Sequence, residues 1–199
     1  MAVNYKKLKV SLLVLLGCIF SSACEVVELD SAGRPIIPMS AEEAASFKNM
    51  EPKDIADKVW MSLVQEAGSS PLALAGLAGN TQNDKSYFVK FSGMVEGIDD
   101  KSGSMNLNIK TGDEIIPVQV GSIVRGNALR DATSLIKFDQ FKNQIQFARL
   151  SKELNKKAIA HISKPDPSWI GKNIEILTAL TIKNNQIQDV VPIEINIAD

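Results

Sequence analysis

The sequence predicts a mixed α+β fold in which a small helical part precedes a partly open barrel of five β-strands. Apolar residues recur every three or four positions before Asn80 and every second position from Tyr87 onward, which indicates helices followed by strands. The elements after Asn80 then follow the order of three strands, one helix and two strands. This is the order of an OB-type barrel, whose helix lies between its third and fourth strands. A generic α+β sandwich is the alternative that this pattern leaves open.

The composition of the 199-residue chain excludes several kinds of site. Lys and Arg number 22 against 23 Asp and Glu and form no basic block, so we expect no nucleic-acid partner. His161 is the one histidine, and both cysteines, Cys18 and Cys24, lie near the amino terminus. Neither a centre of several imidazoles nor a Cys/His zinc cage can form from this set. We therefore expect no metal and no other cofactor.

The first 23 residues have the features of a lipoprotein signal peptide. Three lysines precede an uncharged apolar run over residues 10–20, which is shorter than the about 20 residues that span a membrane as a helix. Small residues follow and lead to Cys24. We expect cleavage before Cys24 and a diacylglycerol on its thiol, with further acylation such as palmitate, so that acyl chains anchor the mature protein.

Two other interpretations of the amino terminus remain open. Ser21 stands three residues before Cys24, where lipoprotein signals usually have an aliphatic residue, whereas Leu15 stands at the same distance before Cys18. Lipidation of Cys18 would leave a shorter apolar run. Alternatively, the protein is secreted after cleavage near Ala23 and Cys24 is a free thiol, which is unusual in an oxidising compartment.

Residues 24–39 contain two prolines and one glycine and are predicted to form an extended tether. A helical subdomain is predicted over residues 40–80. Ser40 and Glu43 form a capping box for a first helix that ends before Pro52. A second helix is predicted over residues 52–67, and a third, short helix over residues 70–77.

The OB-like barrel domain is predicted over residues 81–199. Alternating apolar residues place three strands near residues 87–96, 105–110 and 116–120, with turns at 99–103 and 112–113. Because Pro117 cannot donate a ladder hydrogen bond, the third strand is expected at a sheet edge or with a bulge. A helix over residues 150–162 and a loop over residues 163–171 lead to two closing strands, which meet at a turn of Asn184 and Asn185.

Residues 124–154, with the sequence VRGNALRDATSLIKFDQFKNQIQFARLSKEL, resemble a family of predicted periplasmic lipoproteins of unknown function (DUF 2291). The family pattern is a V-R-G-T-A-L-R-D block, then F-x-x-F and N-Q-I-x-[YF]-A, then a helix. Asn127 stands where Thr is usual, and Leu135 where Phe is frequent. The likeness extends in layout over nearly the whole mature chain. It implies an OB-like barrel with a helical subdomain behind a lipidated cysteine.

The resemblance also implies a function, because genes of this family are often found beside ribose-type sugar ABC transporters. We expect a membrane-anchored periplasmic lipoprotein that acts as a non-enzymatic accessory, by binding or scaffolding, to a sugar transport system. Its partners would be the membrane, transporter components or the sugar itself. Two alternatives are an envelope enzyme that acts on glycans through Asp131 and an arginine, and a structural envelope lipoprotein without a small ligand. The sequence does not distinguish the inner from the outer membrane.

Seven side chains are the candidate binding residues: Arg125, Asn127, Arg130, Asp131, Asn143, Gln144 and Trp169. A guanidinium is a planar fork of donors that matches a carboxylate or a pair of sugar hydroxyls. The amides offer donors and acceptors of the same kind, and a tryptophan in a Pro-rich loop can stack on a sugar ring. Two structural alternatives remain, namely an internal ion pair of Asp131 with one of the arginines, and a tryptophan that plugs the end of the barrel.

Other chemically notable side chains are assigned structural roles. We expect Phe138, Phe141 and Phe147 to be core residues, because large aromatics are main contributors of buried area. The alternative is that a sugar ring stacks on one of these phenyl faces. His161 lies near the end of a predicted helix, where the helix dipole favours a cation. The sequence contains no G-x-S-x-G motif that would give this histidine a nucleophile partner. No catalytic residue is therefore predicted.

Overall fold

The computed structural model describes residues 46–198. Four predicted features lie outside the described residues: the signal peptide, the lipidation site Cys24, the tether, and the capping box of Ser40 and Glu43. Within residues 46–198, no helix combines the length and the apolar character that crossing a bilayer requires.

The described elements are numbered here in chain order. The helices are α1 (Pro52–Ser69), α2 (Leu77–Asn80), α3 (Ala128–Ala132) and α4 (Gln144–His161). The strands are β1 (Leu72–Ala73), β2 (Lys85–Lys101), β3 (Ser104–Thr111), β4 (Glu114–Gln119), β5 (Asn173–Lys183) and β6 (Gln186–Ile197). Single 3₁₀ turns occur at Leu74–Gly76, Phe138–Gln140 and Pro167–Trp169.

The six strands form one sheet in the order β4-β3-β2-β5-β6, and the short β1 pairs in parallel with β2. The long strand β2 pairs first with β5 and then, beyond Gly93, mainly with β3. A Cβ atom at Gly93 would collide with the backbone of Lys110, so glycine permits the close approach at this change of partner. The outer strands β4 and β6 are not hydrogen-bonded to each other, so the barrel is partly open. The predicted fold class is confirmed.

Two-residue turns connect the hairpins of the barrel. Ser102 and Gly103 join β2 to β3 with φ angles of 52° and 86°, and Asn184 and Asn185 join β5 to β6 with 53° and 57°. Two consecutive residues with positive φ indicate type I′ turns, whose twist matches that of the strands. The turn predicted at residues 99–103 is shorter than expected, because β2 continues through Lys101. The turn predicted at Asn184 and Asn185 is confirmed.

The side chains inside the barrel form one apolar core. Strand β4 lies at the edge of the sheet, as Pro117 predicted, and contributes Ile116 and Val118 to the interior. Burial of such side chains contributes about 1.5–3 kcal/mol each relative to exposure. The main contributors to this core are Val89, Phe91, Val95, Leu107, Ile109, Ile116, Val118, Trp169, Ile174, Ile176, Leu180 and Ile182.

A second core lies between the outer face of β5 and β6 and the helices α1 and α4. Strand β5 is therefore buried on both faces, with Leu180 inside the barrel and Ala179 under the helices. The helical core includes Ile55, Leu63, Leu129, Leu150, Leu154, Leu177, Val191 and Ile193. The predicted division into a helical subdomain, residues 40–80, and a barrel domain, residues 81–199, stays a prediction.

The helix predictions are partly right. Helix α1 occurs where predicted and starts at Pro52, whose missing N–H group is tolerated in a first turn. Residues 46–51 are not helical, which agrees with a first helix that ends before Pro52, and the predicted start of that helix lies outside the described residues. The third predicted helix is wrong at its start, because Leu72 and Ala73 pair with β2 as a strand. Helix α4 begins six residues before the predicted position, because Asn143 caps it.

Candidate functional site

Three of the seven predicted binding residues line one depression beside α3 and the start of α4. We call it the Arg130 depression. Its volume is about 470 Å³, which lies within the range of about 300–1,000 Å³ that is typical of small-molecule sites. Its lining residues are Asn127, Arg130, Phe138, Gln144, Phe147 and Ala148.

Arg130 is buried in α3, and its side chain is only 10% exposed. Its Nε donates to Oδ1 of Asp131 at 2.7 Å, and one terminal nitrogen donates to Oδ2 at 3.0 Å. The other terminal nitrogen donates to the carbonyl oxygen of Phe147 at 3.3 Å. The arginine that pairs with Asp131 is thus Arg130 and not Arg125. Of the five N–H groups of a guanidinium, two have no partner among residues 46–198.

Phe147 supplies an aromatic face to this cation, since Cζ of Arg130 lies 3.8 Å from the centroid of its ring. The ring of Phe147 also makes edge contacts with Phe138, at 5.3 Å between centroids, and with Phe141, at 5.0 Å. Phe141 is buried and Phe147 is partly buried. These contacts join the three phenylalanines in a single aromatic cluster, two of whose rings line the depression.

Phe138 is not a core residue, which corrects the prediction made for it. Its side chain is 56% exposed, and it opens the 3₁₀ turn Phe138–Gln140 at the mouth of the depression. The F-x-x-F spacing in a short turn does not determine which phenylalanine faces the solvent. Phe138 and Phe147 both line the depression, although the core is the role that the sequence favours for both.

The side-chain amides of Asn127 and Gln144 line the depression, whereas that of the neighbouring Asn143 has another role. Asn127 precedes α3, and Gln144 is the first residue of α4; both side chains are exposed. Asn143 instead caps α4, since its Oδ1 accepts a hydrogen bond from the N–H group of Gln146 at 2.9 Å. Asn143 is not among the residues that line the Arg130 depression.

Arg125 does not join Arg130 in the depression. Its backbone N–H group and carbonyl oxygen bond to the side chain of Gln119 at 2.8 and 3.0 Å, and the residue is exposed. Gly126, with a φ angle of +90°, turns the chain between the two arginines. The position needs glycine, because a Cβ atom there would also overlap the side chain of Asp189.

Trp169 is 7% exposed and packs in the core of the barrel. Trp169 is therefore not an exposed stacking surface, and its burial agrees with the alternative in which it plugs the barrel. The carboxylate of Asp166 caps this turn by accepting from the N–H group of Ser168 at 2.7 Å, and the hydrogen bonds from Ser168 lower the pKa of Asp166 below its ordinary value.

The position of α3 depends on Glu66 of α1. Its Oε1 accepts from the backbone N–H group of Ser134 at 2.9 Å, and its Oε2 accepts from the hydroxyl of Thr133, the residue that ends α3. Burial by itself raises the pKa of Glu66, but the hydrogen bonds from Thr133 and Ser134 outweigh it and hold the pKa below its ordinary value.

The side chains that line the depression offer hydrogen-bonding groups and aromatic rings. Among residues 46–198, no group of three or more His, Cys, Asp or Glu side chains is placed to hold a metal ion. His161 lies at the end of α4, where its Nδ1 is 2.7 Å from the carbonyl oxygen of Lys157 and its ring packs against Trp60. Neither His161 nor Trp60 lines the Arg130 depression.

Comparison with known proteins adds a family and a fold. The family model described as "Predicted periplasmic lipoprotein (DUF2291)" matches residues 72–196. The crystal structure of an OB-fold protein from Thermotoga maritima is similar, with a TM-score of 0.57 and 15% sequence identity, over 76% of this chain and 100% of that chain. At this identity the similarity indicates the fold alone. No curated protein matches the chain.

Proposed function

Because the chain belongs to the family of predicted periplasmic lipoproteins whose model covers residues 72–196, we propose that it is a membrane-anchored, non-enzymatic binding protein that assists a sugar transport system. The anchor is the acylated Cys24, and the binding surface is the Arg130 depression. A tether over residues 24–39 then holds the folded domain at the membrane, where the solute-binding protein and the permease of a transporter operate.

The observation that carries the binding function is the fixed guanidinium of Arg130. Asp131 accepts two hydrogen bonds from the guanidinium of Arg130, and the ring of Phe147 lies against the same guanidinium. A donor that is already held in place costs little additional entropy when a ligand binds. Its two remaining N–H groups and the amides of Asn127 and Gln144 match the hydroxyls of a sugar. The exposed ring of Phe138 offers a face on which the sugar ring stacks.

The charges around the depression favour binding over catalysis. Glycoside hydrolysis generally uses two carboxyl groups placed on either side of the scissile bond. The six residues that line the depression include no carboxyl group, and both oxygens of the adjacent Asp131 accept hydrogen bonds from Arg130. To act as a general base, Asp131 would have to lose its ion pair with Arg130. This arrangement supports a binding protein rather than an enzyme that cleaves glycans.

Calorimetric titration of the full-length protein in detergent with ribose, other pentoses and hexoses tests the ligand class. We expect saturable binding of at least one sugar, and a Phe138→Ser variant should bind it about fivefold more weakly, since a stacking contact contributes about 1 kcal/mol. Met61→Ser is the matched control, because Met61 is 74% exposed on α1 and lies outside the depression. Binding that is absent with every sugar, or unchanged in Phe138→Ser, would refute the sugar site.

The association with a transporter needs a separate experiment. The lipidated protein is used as bait in a pull-down from solubilised membranes of the source cells, and the bound proteins are identified by mass spectrometry. Enrichment of a sugar permease or solute-binding protein over a bait with an unrelated domain on the same anchor supports the accessory role. If transporter components are not enriched, the accessory role is wrong even where the sugar site is right.

A further inference from the structure

A second depression lies where the described part of the chain begins, and we call it the basic depression. Its volume is about 380 Å³. The charged side chains in its lining are three cations and one carboxylate, which give a local net charge of +2. The residues that matter here are Lys48, Glu51, Lys142, Ile145, Gln146 and Arg149.

Hydrogen bonds to backbone groups, most of them made by the side chain of Gln146, hold the walls of the basic depression together. The N–H group of Phe47 donates to the carbonyl oxygen of Gln140 at 2.9 Å. Nε2 of Gln146 donates to the carbonyl oxygens of Phe47 at 2.8 Å and Met50 at 2.7 Å, and its Oε1 accepts from the N–H group of Lys142 at 2.8 Å. One glutamine thus ties the first described segment to the start of α4, so that Lys48 lines the same depression as Lys142 and Arg149.

The three cations are exposed and available to an external anion. Within residues 46–198, none of Lys48, Lys142 and Arg149 forms an ion pair with a carboxylate. Ile145, on the rim, is an apolar side chain that is 65% exposed. An exposed aliphatic residue beside several cations is typical of a surface that lies on a membrane.

The positive charge is concentrated in this part of the chain. Residues 142–157 contain five cations, Lys142, Arg149, Lys152, Lys156 and Lys157, and one acid, Glu153, which gives a net charge of +4. The whole chain has a formal net charge of −1. Lys156 pairs with Glu153, and Lys157 pairs with Asp57 of α1. The cations of this segment that form no ion pair among residues 46–198 are Lys142, Arg149 and Lys152, and the first two of them line the basic depression.

We propose that the basic depression is the surface by which the domain lies on the anionic phospholipid headgroups of the membrane that holds its lipid anchor. The proposal rests on the anchor at Cys24 that is part of the proposed function. Residues 25–45 connect that anchor to residue 46, where the described part of the chain begins, and Lys48 lines the depression two residues later. The first described residues therefore border the cationic surface. Cations close to an anionic leaflet are attracted to it, and this attraction falls off within a Debye length.

Collisional quenching of a fluorophore on the full-length lipoprotein tests this orientation. An Ile145→Cys variant is labelled and reconstituted by its anchor into vesicles of phosphatidylethanolamine and phosphatidylglycerol with a headgroup-level spin-labelled lipid. A Lys183→Cys variant at the end of β5, outside the depression, carries the label for comparison. We expect stronger quenching at position 145 than at 183. This excess should be lost in phosphatidylcholine vesicles and at about 1 M salt, where the Debye length is about 3 Å.

Charge reversal identifies the responsible cations. In the label-145 protein, combined Lys48→Glu, Lys142→Glu and Arg149→Glu substitutions should abolish the excess quenching. Lys85→Glu, Lys110→Glu and Lys172→Glu change the net charge equally at exposed positions outside the depression and should preserve it. Equal quenching at positions 145 and 183, or an excess that persists in phosphatidylcholine or after the first triple substitution, would overturn the proposal. The lipid and salt comparisons use no charge variant and so do not depend on its folding.

Flotation of the same vesicles separates the two proposals. If the unsubstituted protein does not float with vesicles, the anchor is wrong, and the membrane-facing surface that depends on it is wrong as well. If the protein floats but the label at position 145 is not quenched in excess, the anchor is supported and only the orientation is refuted. Sugar titration in solution is independent of both outcomes.

Discussion

The guanidinium of Arg130 lies 3.8 Å from the ring centroid of Phe147 and also donates a hydrogen bond to the carbonyl oxygen of that residue. One side chain of α3 therefore contacts both the side chain and the backbone of the first turns of α4. Asp131 holds the opposite side of the fork. The contact joins two helices and forms one wall of the Arg130 depression, so its loss should affect stability and binding together.

Arg130→Lys should lower the free energy of unfolding by about 1–2 kcal/mol, because lysine keeps the charge but loses the two-point contact with Asp131 and the flat stacking on Phe147. Urea denaturation of the full-length protein in detergent measures this change. Arg149→Lys is the matched control at an exposed arginine, where we expect a change within about 0.5 kcal/mol. An Arg130→Lys protein as stable as the unsubstituted one would show that a point charge is sufficient at this position.

Gly126→Ala should destabilise the protein by about 2–4 kcal/mol, because φ is +90° and the added methyl group would overlap the side chain of Asp189. The carbonyl oxygen of Gly126 accepts a hydrogen bond from Nδ2 of Asn155 at 3.2 Å, so the turn has little freedom to move. Gly68→Ala, near the end of α1 with no atom within 4 Å of the new methyl, should instead stabilise by about 0.5–1 kcal/mol. Thermal unfolding of both variants checks the opposite signs. Similar midpoints for the two variants would contradict the argument.

Glu66→Gln should lower stability by about 1 kcal/mol at neutral pH, because a neutral amide is a weaker acceptor for Thr133 and Ser134 than a carboxylate. The pKa of Glu66 is lowered on folding, so its charge stabilises the protein above the ordinary value of 4.5. That contribution is lost as pH falls from 4.5 through the lower pKa of the folded state.

Denaturation of both proteins between neutral and acidic pH tests the sign. The difference in unfolding free energy between the unsubstituted protein and Glu66→Gln should shrink as the solution is acidified. Glu96→Gln removes an exposed acid of β2 and should give a small difference at neutral pH. A difference for Glu66→Gln that grows toward low pH would mean that folding raises the pKa of this carboxyl group.

Cys24→Ala should abolish incorporation of labelled palmitate, because acylation begins with the diacylglycerol on the Cys24 thiol. Cys18→Ala should leave incorporation unchanged, which separates the two candidate cysteines. Metabolic labelling followed by immunoprecipitation gives the result. Labelled palmitate retained in Cys24→Ala and lost in Cys18→Ala would move the anchor to position 18, and no labelling of the unsubstituted protein would mean that it is not a lipoprotein.

The sequence was sufficient for most of the barrel. Alternating apolar residues in a strand with one buried face, such as those of β3 and β4, predict both the strand and its inner side. The twin asparagines at 184 and 185 predict a turn, because asparagine tolerates positive φ better than most residues. The local pattern of apolar residues is less informative for a strand that is buried on both faces, or for one whose partner strand is distant in the sequence. The segment Leu72–Ala73 was assigned to a helix because its pairing with Val89 and Lys90 is not encoded nearby.

The site was predictable in its composition but not in its arrangement. The block containing Asn127, Arg130 and Asp131 is recognisable by its polar side chains in an apolar stretch. The predicted residues that line a single depression are Asn127, Arg130 and Gln144. Trp169 could equally be a stacking surface or a plug, since an isolated loop tryptophan has no periodicity to orient it. For Phe138, the general tendency of large aromatics to be buried predicts the core, and only the tertiary structure shows that this ring is exposed.

Residue identity and spacing by themselves predicted the family and the order of the long strands and helices, because these depend on local motifs and periodicity, and the missing N–H group of Pro117 limited β4 to a sheet edge or a bulge. Tertiary structure alone decided which arginine pairs with Asp131 and which phenylalanine is exposed. It also decided that Lys48 lies beside Arg149, about a hundred residues away along the chain. The direction of each of these side chains depends on how α3, α4 and the first described segment pack together, and no local pattern encodes that packing.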